Sequence, residues 1–185
     1  MLYLIGGASR SGKTSLARML LRRRHVPFLS VDVLKMALHD ALPGTFPGPD
    51  RPHRDIAEAI RPVLSGIAVH SLTQGLDYCV EGDLLVPGDV AHLARLHPGQ
   101  VRACFLGYPT ISTAEKFDLI ESFRGPPNDW VNRDLSRSGK IAHIDRMKLL
   151  SREFERSCRT AGVPFVDTSH AFGERLEDAY RCLIG

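Results

Sequence analysis

A glycine-rich segment near the start of the chain constrains the fold more than any other feature. Residues 7–14 read Gly-Ala-Ser-Arg-Ser-Gly-Lys-Thr, which fits the pattern G-x-x-x-x-G-K-[ST]. The segment follows an apolar run at residues 2–5 and precedes three apolar residues at helical spacing, Leu16, Met19 and Leu20. A strand that turns tightly into a helix is the structural context that this pattern requires. The chain is therefore expected to begin as a strand–loop–helix unit.

The residue types in this loop predict that it binds a polyphosphate. Glycines let the backbone bring its N–H groups against phosphate oxygens, and the following helix adds the positive end of its dipole. Lys13 is predicted to reach the β- and γ-phosphates, and Thr14 to place its hydroxyl on a magnesium ion. The alternative is a glycine turn with an incidental lysine. The predicted cofactors are ATP and Mg²⁺, and the predicted nucleotide-binding residues are Gly7, Ala8, Ser9, Arg10, Ser11, Gly12, Lys13, Thr14 and Ser15.

Five short apolar runs alternate with segments of helical periodicity along the chain. The runs cover residues 2–5, 27–31, 78–80 with an extension to 85, 101–106 and 163–166. Apolar residues three and four apart mark helices after the first run, across residues 56–67 and across residues 141–161. A last helix is predicted at about residues 171–182. Alternating strands and helices predict an α/β fold with a parallel sheet covered on both faces.

Composition favours one domain over all 185 residues, since 43% are hydrophobic and 24% charged. The net charge of +3 gives little support for nucleic-acid binding. No membrane span is expected, because the chain lacks 18 consecutive apolar residues, and the short first run does not resemble a signal peptide. Cys79, Cys104, Cys158 and Cys182 have no zinc-ligand spacing. We expect them to be reduced thiols in a cytoplasmic protein.

The order of these elements, together with the loop, resembles the P-loop kinases of small molecules. This group includes nucleoside monophosphate kinases, shikimate and gluconate kinases, chloramphenicol phosphotransferase and 2-phosphoglycerate kinase. The resemblance covers nearly the whole chain, and residues 7–14 are its one sharp motif. It implies a three-layer P-loop NTPase fold with a five-stranded parallel sheet in the order 2-3-1-4-5. It also implies an acceptor-binding insertion at about residues 40–75 and a lid at about residues 110–145.

Carboxylates follow the second and third predicted strands, at the sheet edge where ligands of open parallel sheets bind. In the kinases that the chain resembles, the second strand often ends in an acid beside the acceptor. The resemblance therefore implies that Asp32 orients or deprotonates the acceptor hydroxyl; a helix cap is its alternative role. The third strand leads to Glu81 and Asp83. Either carboxylate could hold a water on magnesium or position the acceptor, and a solvated strand end explains the same pair.

Arginines occupy the segment that the resemblance implies is a lid. Arg133 and Arg137 are four residues apart, so on one helix they would share a face. As lid residues, these two and Arg124 would stabilise charge on the transferred phosphoryl group and exclude water. An ordinary surface helix is the alternative, because Asp129 and Asp134 nearly cancel the arginine charges. The stretch from residue 123 to 140 is polar and broken by two prolines, and it predicts no regular core structure.

Three further groups of residues have candidate roles. Arg51, Arg54 and Arg61 would bind an anionic acceptor or face solvent, and Trp130 would stack on a ring or pin the lid to the core. Ser112 and Glu115 predict a capping box. The last group follows the fifth strand and consists of Asp167, Thr168 and Ser169. The resemblance implies that these residues line the adenine, and a cap of the final helix is the alternative.

The sequence thus predicts an ATP/Mg-dependent phosphotransferase that moves the γ-phosphoryl group to a small hydroxyl- or phosphate-bearing acceptor. An ATP-hydrolysing switch that binds a partner protein is one alternative, although the third strand lacks a clean Walker B aspartate. A polynucleotide-end kinase is the other, and it would need a basic, aromatic-lined channel, whereas aromatic residues are 7% of this chain. The predicted catalytic residues are Lys13, Asp32, Glu81, Arg133 and Arg137, with Thr14 and, through water, Glu81 as metal-binding residues.

Overall fold

The computed structural model describes residues 1–123 and 130–185. Its strands are β1 (Leu2–Gly7), β2 (Phe28–Ser30), β3 (Tyr78–Gly82), β4 (Val101–Gly107) and β5 (Phe165–Asp167). Its helices are α1 (Lys13–Arg24), α2 (Val31–Ala41), α3 (His53–Thr73), α4 (Pro87–Leu96), α5 (Thr113–Ser122), α6 (Trp130–Asp134), α7 (Arg137–Ala161) and α8 (Phe172–Ile184).

The five strands form one parallel sheet in the order β2-β3-β1-β4-β5, which confirms the predicted topology. Leu2 of β1 pairs with Tyr78 of β3 on one side and with Val101 of β4 on the other. Every strand therefore points the same way, and the carboxyl ends of the strands lie together at one edge of the sheet. The glycine loop leaves β1, the central strand, at this edge.

Side chains of β1 alternate between two cores, as the two-residue period of a strand requires. Leu2 and Leu4 belong to a core covered by α2, α3, α4 and α7. Tyr3 and Ile5 belong to a second core, on the opposite face, that is covered by α1 and α8. Helices thus cover both faces of the sheet, and the molecule has the three layers that were predicted.

Two predicted strand ends are wrong by a few residues. The second strand ends at Ser30, and Val31, which was included in the strand, is the first residue of α2. Ser30 has the extended backbone of an N-cap residue, a position that serine favours. The third strand ends at Gly82 rather than continuing to residue 85. Leu84 and Leu85 are buried, but they lie in the turn before α4, where burial does not require a strand.

The prediction that residues 123–140 hold no regular core structure is wrong for the part that the structure describes. Val131 of α6 is fully buried, and it packs with Ile120 of α5 and Ile144 of α7 in a small separate core. The helix prediction for residues 141–161 is confirmed, and α7 begins earlier than expected, at Arg137. Ser136 is the N-cap residue of α7, and its hydroxyl accepts a hydrogen bond from the Gly139 amide at 3.2 Å. This cap separates α7 from α6.

The capping box at the start of α5 is confirmed. Ser112 Oγ accepts a hydrogen bond from the Glu115 amide, and Glu115 Oε2 accepts one from the Ser112 amide, both at 3.1 Å. These hydrogen bonds hold the pKa of Glu115 below its usual value. α5 therefore begins at a fixed point just beyond β4.

All four cysteines, each of which the structure describes, are free thiols, with Cys182 exposed and the other three buried. Burial raises the pKa of Cys79 and Cys104. Across residues 1–123 and 130–185, no helix combines the length and the apolar character that crossing a membrane would need.

Candidate active site

The glycine loop joins Gly7, the last residue of β1, to Lys13, the first residue of α1. Three of its residues have positive φ angles, namely Gly7 at 128°, Arg10 at 61° and Gly12 at 105°. Gly7 is also required by packing, because a Cβ atom there would lie 1.9 Å from the backbone oxygen of Leu106. The two motif glycines therefore let the chain reverse tightly between the central strand and α1.

The start of α1 presents backbone N–H groups at the end of the loop. Leu16 is the first residue of α1 whose amide closes a helical turn, and it donates to the Gly12 carbonyl at 2.9 Å. The amides of Lys13, Thr14 and Ser15 precede that turn, and such groups have no acceptor within their own helix. Ala8 differs from these residues, because its amide donates to the Leu106 carbonyl at 3.1 Å. The helix start thus offers three N–H groups and its dipole to an anion.

Three side chains from outside the loop support its carbonyl groups. Tyr108 Oη donates to the Ser9 carbonyl at 2.9 Å, and Lys116 Nζ donates to the Arg10 carbonyl at 2.9 Å. Thr168 Oγ1 donates to the Ser11 carbonyl at 3.1 Å. In a trans peptide, the N–H of the next residue points away from the carbonyl. Fixing these carbonyls therefore fixes the direction of the amides that follow them.

Lys13 and Thr14 lie between the loop and β3. The side chain of Lys13 is buried, and its Nζ donates to the Ala8 carbonyl at 2.7 Å. Thr14 Oγ1 donates to Glu81 Oε1 at 3.1 Å. Glu81 stands at the carboxyl end of β3, next to Ile5 of β1 in the sheet register. The fold thus brings together a lysine, a hydroxyl and a carboxylate that are up to 68 positions apart, from Lys13 to Glu81.

The environment of Glu81 opposes its ionisation. Its side chain is 3% exposed, and burial raises the pKa of its carboxyl. The nearby charge of Lys13 and hydrogen bonds from Ser30 and Thr14 act in the opposite direction, while the charge of Asp32 raises the pKa further. A cation close to Glu81 would therefore stabilise its charged form.

Magnesium fits this pair of oxygens. A hydroxyl and a buried carboxylate at 3.1 Å are the hard oxygen ligands that Mg²⁺ prefers, and the ion commonly takes few protein ligands and keeps several waters. Among residues 1–123 and 130–185, no group of three or more His, Cys, Asp or Glu side chains could hold a metal ion by itself. A magnesium site here would therefore depend on phosphate oxygens and water to complete its shell.

Asp32 lies in the first turn of α2, one residue beyond the position at which the second strand was expected to end. Its side chain is 43% exposed and pairs with Lys35, whose Nζ lies 3.2 Å from Asp32 Oδ1. The alternative role of helix cap is wrong, because Ser30 occupies the N-cap position of α2. Asp32 is nevertheless close enough to Glu81 to influence the pKa of that carboxyl.

A cavity of about 330 Å³ lies between the first half of α3 and the connection from β3 to α4. Asp83 lines it, with a side chain that is 18% exposed and an Oδ2 atom that lies 3.8 Å from His53 Nε2. The other oxygen of Asp83 is buried and has no hydrogen-bond partner among the residues that the structure describes. Such an oxygen favours a ligand that brings a donor.

The three arginines that were candidates for an anionic acceptor all have carboxylate partners. Arg54 Nε lies 2.9 Å from Glu58, and Arg61 Nε lies 2.9 Å from Asp89. Arg51 pairs with Asp55 at 3.6 Å. Arg54, Glu58 and Arg61 line the cavity with His53 and Asp83. The lining thus contains two arginines and two carboxylates, so its formal charge is zero when His53 is neutral.

Arg133 and Arg137 lie on different helices, so the expectation that they share one helical face is wrong. Arg133 is in α6, 75% exposed, and its guanidinium bonds to Asp134 at 2.6 and 2.8 Å. Arg137 begins α7, and its guanidinium lies 4.9 Å from the centre of the Phe117 ring. The break at Ser136 separates the two residues. Arg124 and Asp129 lie outside the described residues.

The residues after β5 support the loop and the neighbouring turn. Thr168 donates its hydroxyl hydrogen to the Ser11 carbonyl in the loop. Asp167 accepts hydrogen bonds from the Ser169 amide at 2.8 Å and from Thr110 Oγ1 at 3.1 Å. The expected alternative, that these residues cap the last helix, is wrong because Ala171 is the N-cap residue of α8. A second cavity, of about 300 Å³, lies here between Asp167 and α8.

The supporting roles of Tyr108, Lys116 and Thr168 were not predicted. Tyr108 and Thr168 carry no motif, and their contact with the loop depends on the packing of β4 and β5 beside β1. The burial of Lys116 could have been predicted from its spacing in the sequence. It stands four residues before the buried Ile120 and four after the capping Ser112, which places it on the inner face of α5.

Comparison with models of protein families finds no match to the chain, and a search of curated proteins finds none either. Solved structures do match. A shikimate kinase from Bacteroides thetaiotaomicron is 12% identical with a TM-score of 0.58, over 98% of this chain and 94% of that one.

Two further structures cover similar shares. A gluconokinase from Sinorhizobium meliloti is 18% identical with a TM-score of 0.57, over 98% of this chain and 90% of that one. A shikimate kinase from Aquifex aeolicus is 16% identical with a TM-score of 0.54, over 100% of this chain and 97% of that one. The chain thus has the P-loop fold of the small-molecule kinases that its sequence resembles.

Proposed function

We propose that the protein is an ATP- and magnesium-dependent phosphotransferase that acts on a small hydroxyl- or phosphate-bearing acceptor. The observation that carries the proposal is the arrangement around α1. The first amides of that helix, the buried Lys13 and the Thr14–Glu81 pair lie together where the glycine loop leaves the central strand. The fold shared with shikimate kinase and gluconokinase supports the same class of reaction.

In the proposed complex, the loop from Gly7 to Ser15 holds the triphosphate of ATP. The amides that open α1 donate to phosphate oxygens, and Lys13 leaves the Ala8 carbonyl to contact the β- and γ-phosphates. Thr14 would bind magnesium directly, and Glu81 would hold one of its waters. The metal, when bound, supplies neutralisation of the charge that develops on the phosphate oxygens. The cavity next to Asp167 would receive the adenine.

Asp32 is the proposed base of the reaction. The acceptor oxygen forms a bond to the γ-phosphorus, the bond from that phosphorus to the β–γ bridging oxygen breaks, and ADP leaves. The acceptor proton passes to the carboxylate of Asp32 as this happens. Partial exposure of Asp32 leaves it accessible to an acceptor, whereas Glu81 is buried against Thr14. This difference in exposure supports the separate roles of the two carboxylates.

The proposed acceptor site is the 330 Å³ cavity, whose α3 side belongs to the insertion expected at about residues 40–75. Asp83, with its unsatisfied oxygen, would accept a hydrogen bond from an acceptor hydroxyl. On the other side, the lid expected at about residues 110–145 would bring Arg133 and Arg137 over the transferred group. Both arginines would have to leave their present contacts with Asp134 and Phe117 to do so.

The test combines nucleotide binding with turnover. We expect Mg·ADP to bind to the wild-type protein, and Lys13→Ala to abolish binding while its circular dichroism spectrum stays unchanged. Lys148→Ala is the matched control, because Lys148 contacts Thr113 at 3.2 Å and not the loop. Its nucleotide affinity should equal that of the wild type.

Turnover of ATP is then followed with and without a panel of hydroxyl-bearing metabolites. A kinase should release ADP faster with one acceptor class and yield a phosphorylated product. Release of inorganic phosphate at the same rate with every addition would instead show an ATP hydrolase. Full nucleotide binding by Lys13→Ala would show that the loop is not the phosphate site.

A further inference from the structure

Lys116 is a buried lysine in direct contact with the phosphate loop. It lies on α5 with 6% of its surface exposed. Its Nζ donates to the Arg10 carbonyl at 2.9 Å and lies 3.9 Å from the centre of the Tyr108 ring. Arg10 is the non-glycine residue of the loop with a positive φ angle. The ammonium group therefore holds the peptide that follows Arg10, whose backbone is left-handed.

Lys116 shares this region with other charged and titratable groups. Arg10 extends from the loop, Tyr108 follows β4, and α7 contributes His143 and Arg146. The charge of Arg10 is close enough to lower the pKa of both Lys116 and His143. On α5 itself, the neighbouring Glu115 is occupied in the capping box. Lys116 and Arg10 thus place two positive charges close together where α5 meets the loop.

Burial, together with the charge of Arg10, lowers the pKa of Lys116 to about 8. Burial also lowers the pKa of His143, to about 4, and raises that of Tyr108. An arginine guanidinium stays charged at every ordinary pH. Of these groups, Lys116 is therefore the one that changes its charge between pH 7 and pH 9.

We propose that Lys116 is a positioning residue of the nucleotide site, which holds the Arg10 carbonyl and whose positive charge strengthens polyphosphate binding. The inference rests on the proposed function only in taking residues 7–15 as the phosphate site. The hydrogen bond keeps the following amide directed away from α5. The charge acts through one layer of backbone and offsets part of the negative charge of the nucleotide.

This proposal makes nucleotide affinity depend on pH. A bound anion favours the charged lysine, so binding raises the pKa of Lys116 and takes up a proton wherever the free protein has lost it. At pH 7 most of the lysine is already charged, so binding takes up little. One unit above its pKa, about nine in ten free molecules have lost the proton, so Kd should rise about tenfold between pH 7 and pH 9.

The experiment measures Kd for Mg·ADP by calorimetry at intervals from pH 7 to pH 9, above the range in which phosphate groups titrate. At pH 9, measurements in buffers of different ionisation enthalpy give the number of protons taken up. The wild-type protein should take up close to one proton per ADP at pH 9 and almost none at pH 7. These measurements need no variant, so they decide the charge effect even if a substitution prevents folding.

Variants then separate the charge from the hydrogen bond. Lys116→Gln keeps a donor without the charge, so its Kd should be independent of pH and higher than that of the wild type even at pH 9, where the wild-type complex still holds the proton. Lys116→Met has neither the donor nor the charge and should bind more weakly still at every pH. Lys116→Arg stays charged and should restore binding at pH 9, and Lys148→Gln should keep the wild-type pH dependence.

A wild-type Kd that is constant from pH 7 to pH 9, with no proton uptake, would overturn the proposal. So would a Lys116→Gln variant that keeps the full wild-type slope, since another group would then carry the titration. Absence of Mg·ADP binding at every pH would instead contradict the phosphate site itself. The two failures are therefore distinguishable in one data set.

Discussion

Replacing Glu81 by glutamine should make the protein more stable and much less active. Glutamine has nearly the same shape and keeps an oxygen that can accept the hydrogen bond from Thr14, but it has no charge to desolvate. Because burial is the largest effect on Glu81 and raises its pKa, the ionised carboxylate costs the folded protein free energy at neutral pH. A substitution that removes an unfavourable buried charge of this kind commonly raises the free energy of unfolding by about 1 kcal/mol. For a chain of this length, that gain corresponds to an increase in Tm of roughly 2–4 °C.

The pH dependence has a definite sign. The folded protein binds the Glu81 proton more tightly than the unfolded chain does, so this group makes stability fall as the pH rises from the unfolded pKa to the folded pKa. Below the unfolded pKa of about 4.3 the penalty disappears, because the group is then protonated in both states. The advantage of Glu81→Gln should therefore be present at pH 7.5 and shrink towards pH 4.

The assay is thermal unfolding without nucleotide, paired with phosphoryl transfer. Transfer by Glu81→Gln should fall by about a hundredfold or more, since the substitution removes the charge that faces the proposed metal site. Glu115→Gln is the control of opposite sign, because the pKa of Glu115 is lowered by its capping hydrogen bonds. That variant should be less stable at pH 7.5 and should keep its activity. A Glu81→Gln protein that melts at or below the wild-type temperature would refute the reasoning about desolvation.

Two further substitutions test neighbouring parts of the site. Asp32→Asn should keep Mg·ADP affinity and lower phosphoryl transfer by roughly a hundredfold, as expected for loss of a general base, and unchanged transfer would remove Asp32 from the reaction. Gly7→Ala should destabilise the protein by about 2 kcal/mol or more, because its Cβ would lie 1.9 Å from the Leu106 carbonyl at a φ of 128°. Gly66→Ala is its control, since Gly66 lies inside α3 with open space around a Cβ atom, and thermal unfolding should show it slightly more stable than the wild type.

The fold was predictable because its signals are local and repeated. Each strand of the parallel sheet is a short apolar run, and each long helix repeats apolar residues every three or four positions. The order of the strands was predicted from the resemblance and not from periodicity. An apolar run such as residues 101–106 predicts a strand but does not indicate which strands pair with it. The small core around Val131 was missed because the surrounding stretch is polar and α6 is only five residues long.

The strand–loop–helix unit at residues 2–20 was predictable for a related reason, since the loop residues are adjacent in the chain and form one recognisable pattern. The motif does not contain the side chains that donate hydrogen bonds to the loop carbonyls. Ser9, Arg10 and Ser11 depend on donors that stand 99, 106 and 157 positions further along the chain. Such contacts depend on the order of the strands in the sheet, and no local sequence pattern predicts that order.

The contacts of the proposed acceptor site differ in whether they depend on sequence neighbours or on the folded chain. Arg54 and Glu58, four residues apart on one helix, form an ion pair between neighbours on one helical face. Arg61 and Asp89 meet only because α3 packs beside the start of α4, and that contact required the structure. Exposed pairs of this kind are weak, so an acceptor can displace them. An anionic acceptor that pairs with one of these arginines must still replace the carboxylate that already pairs with it. The lining side chains have a formal charge of zero, so we expect the cavity to favour acceptors held mainly through hydroxyl groups over strongly anionic ones.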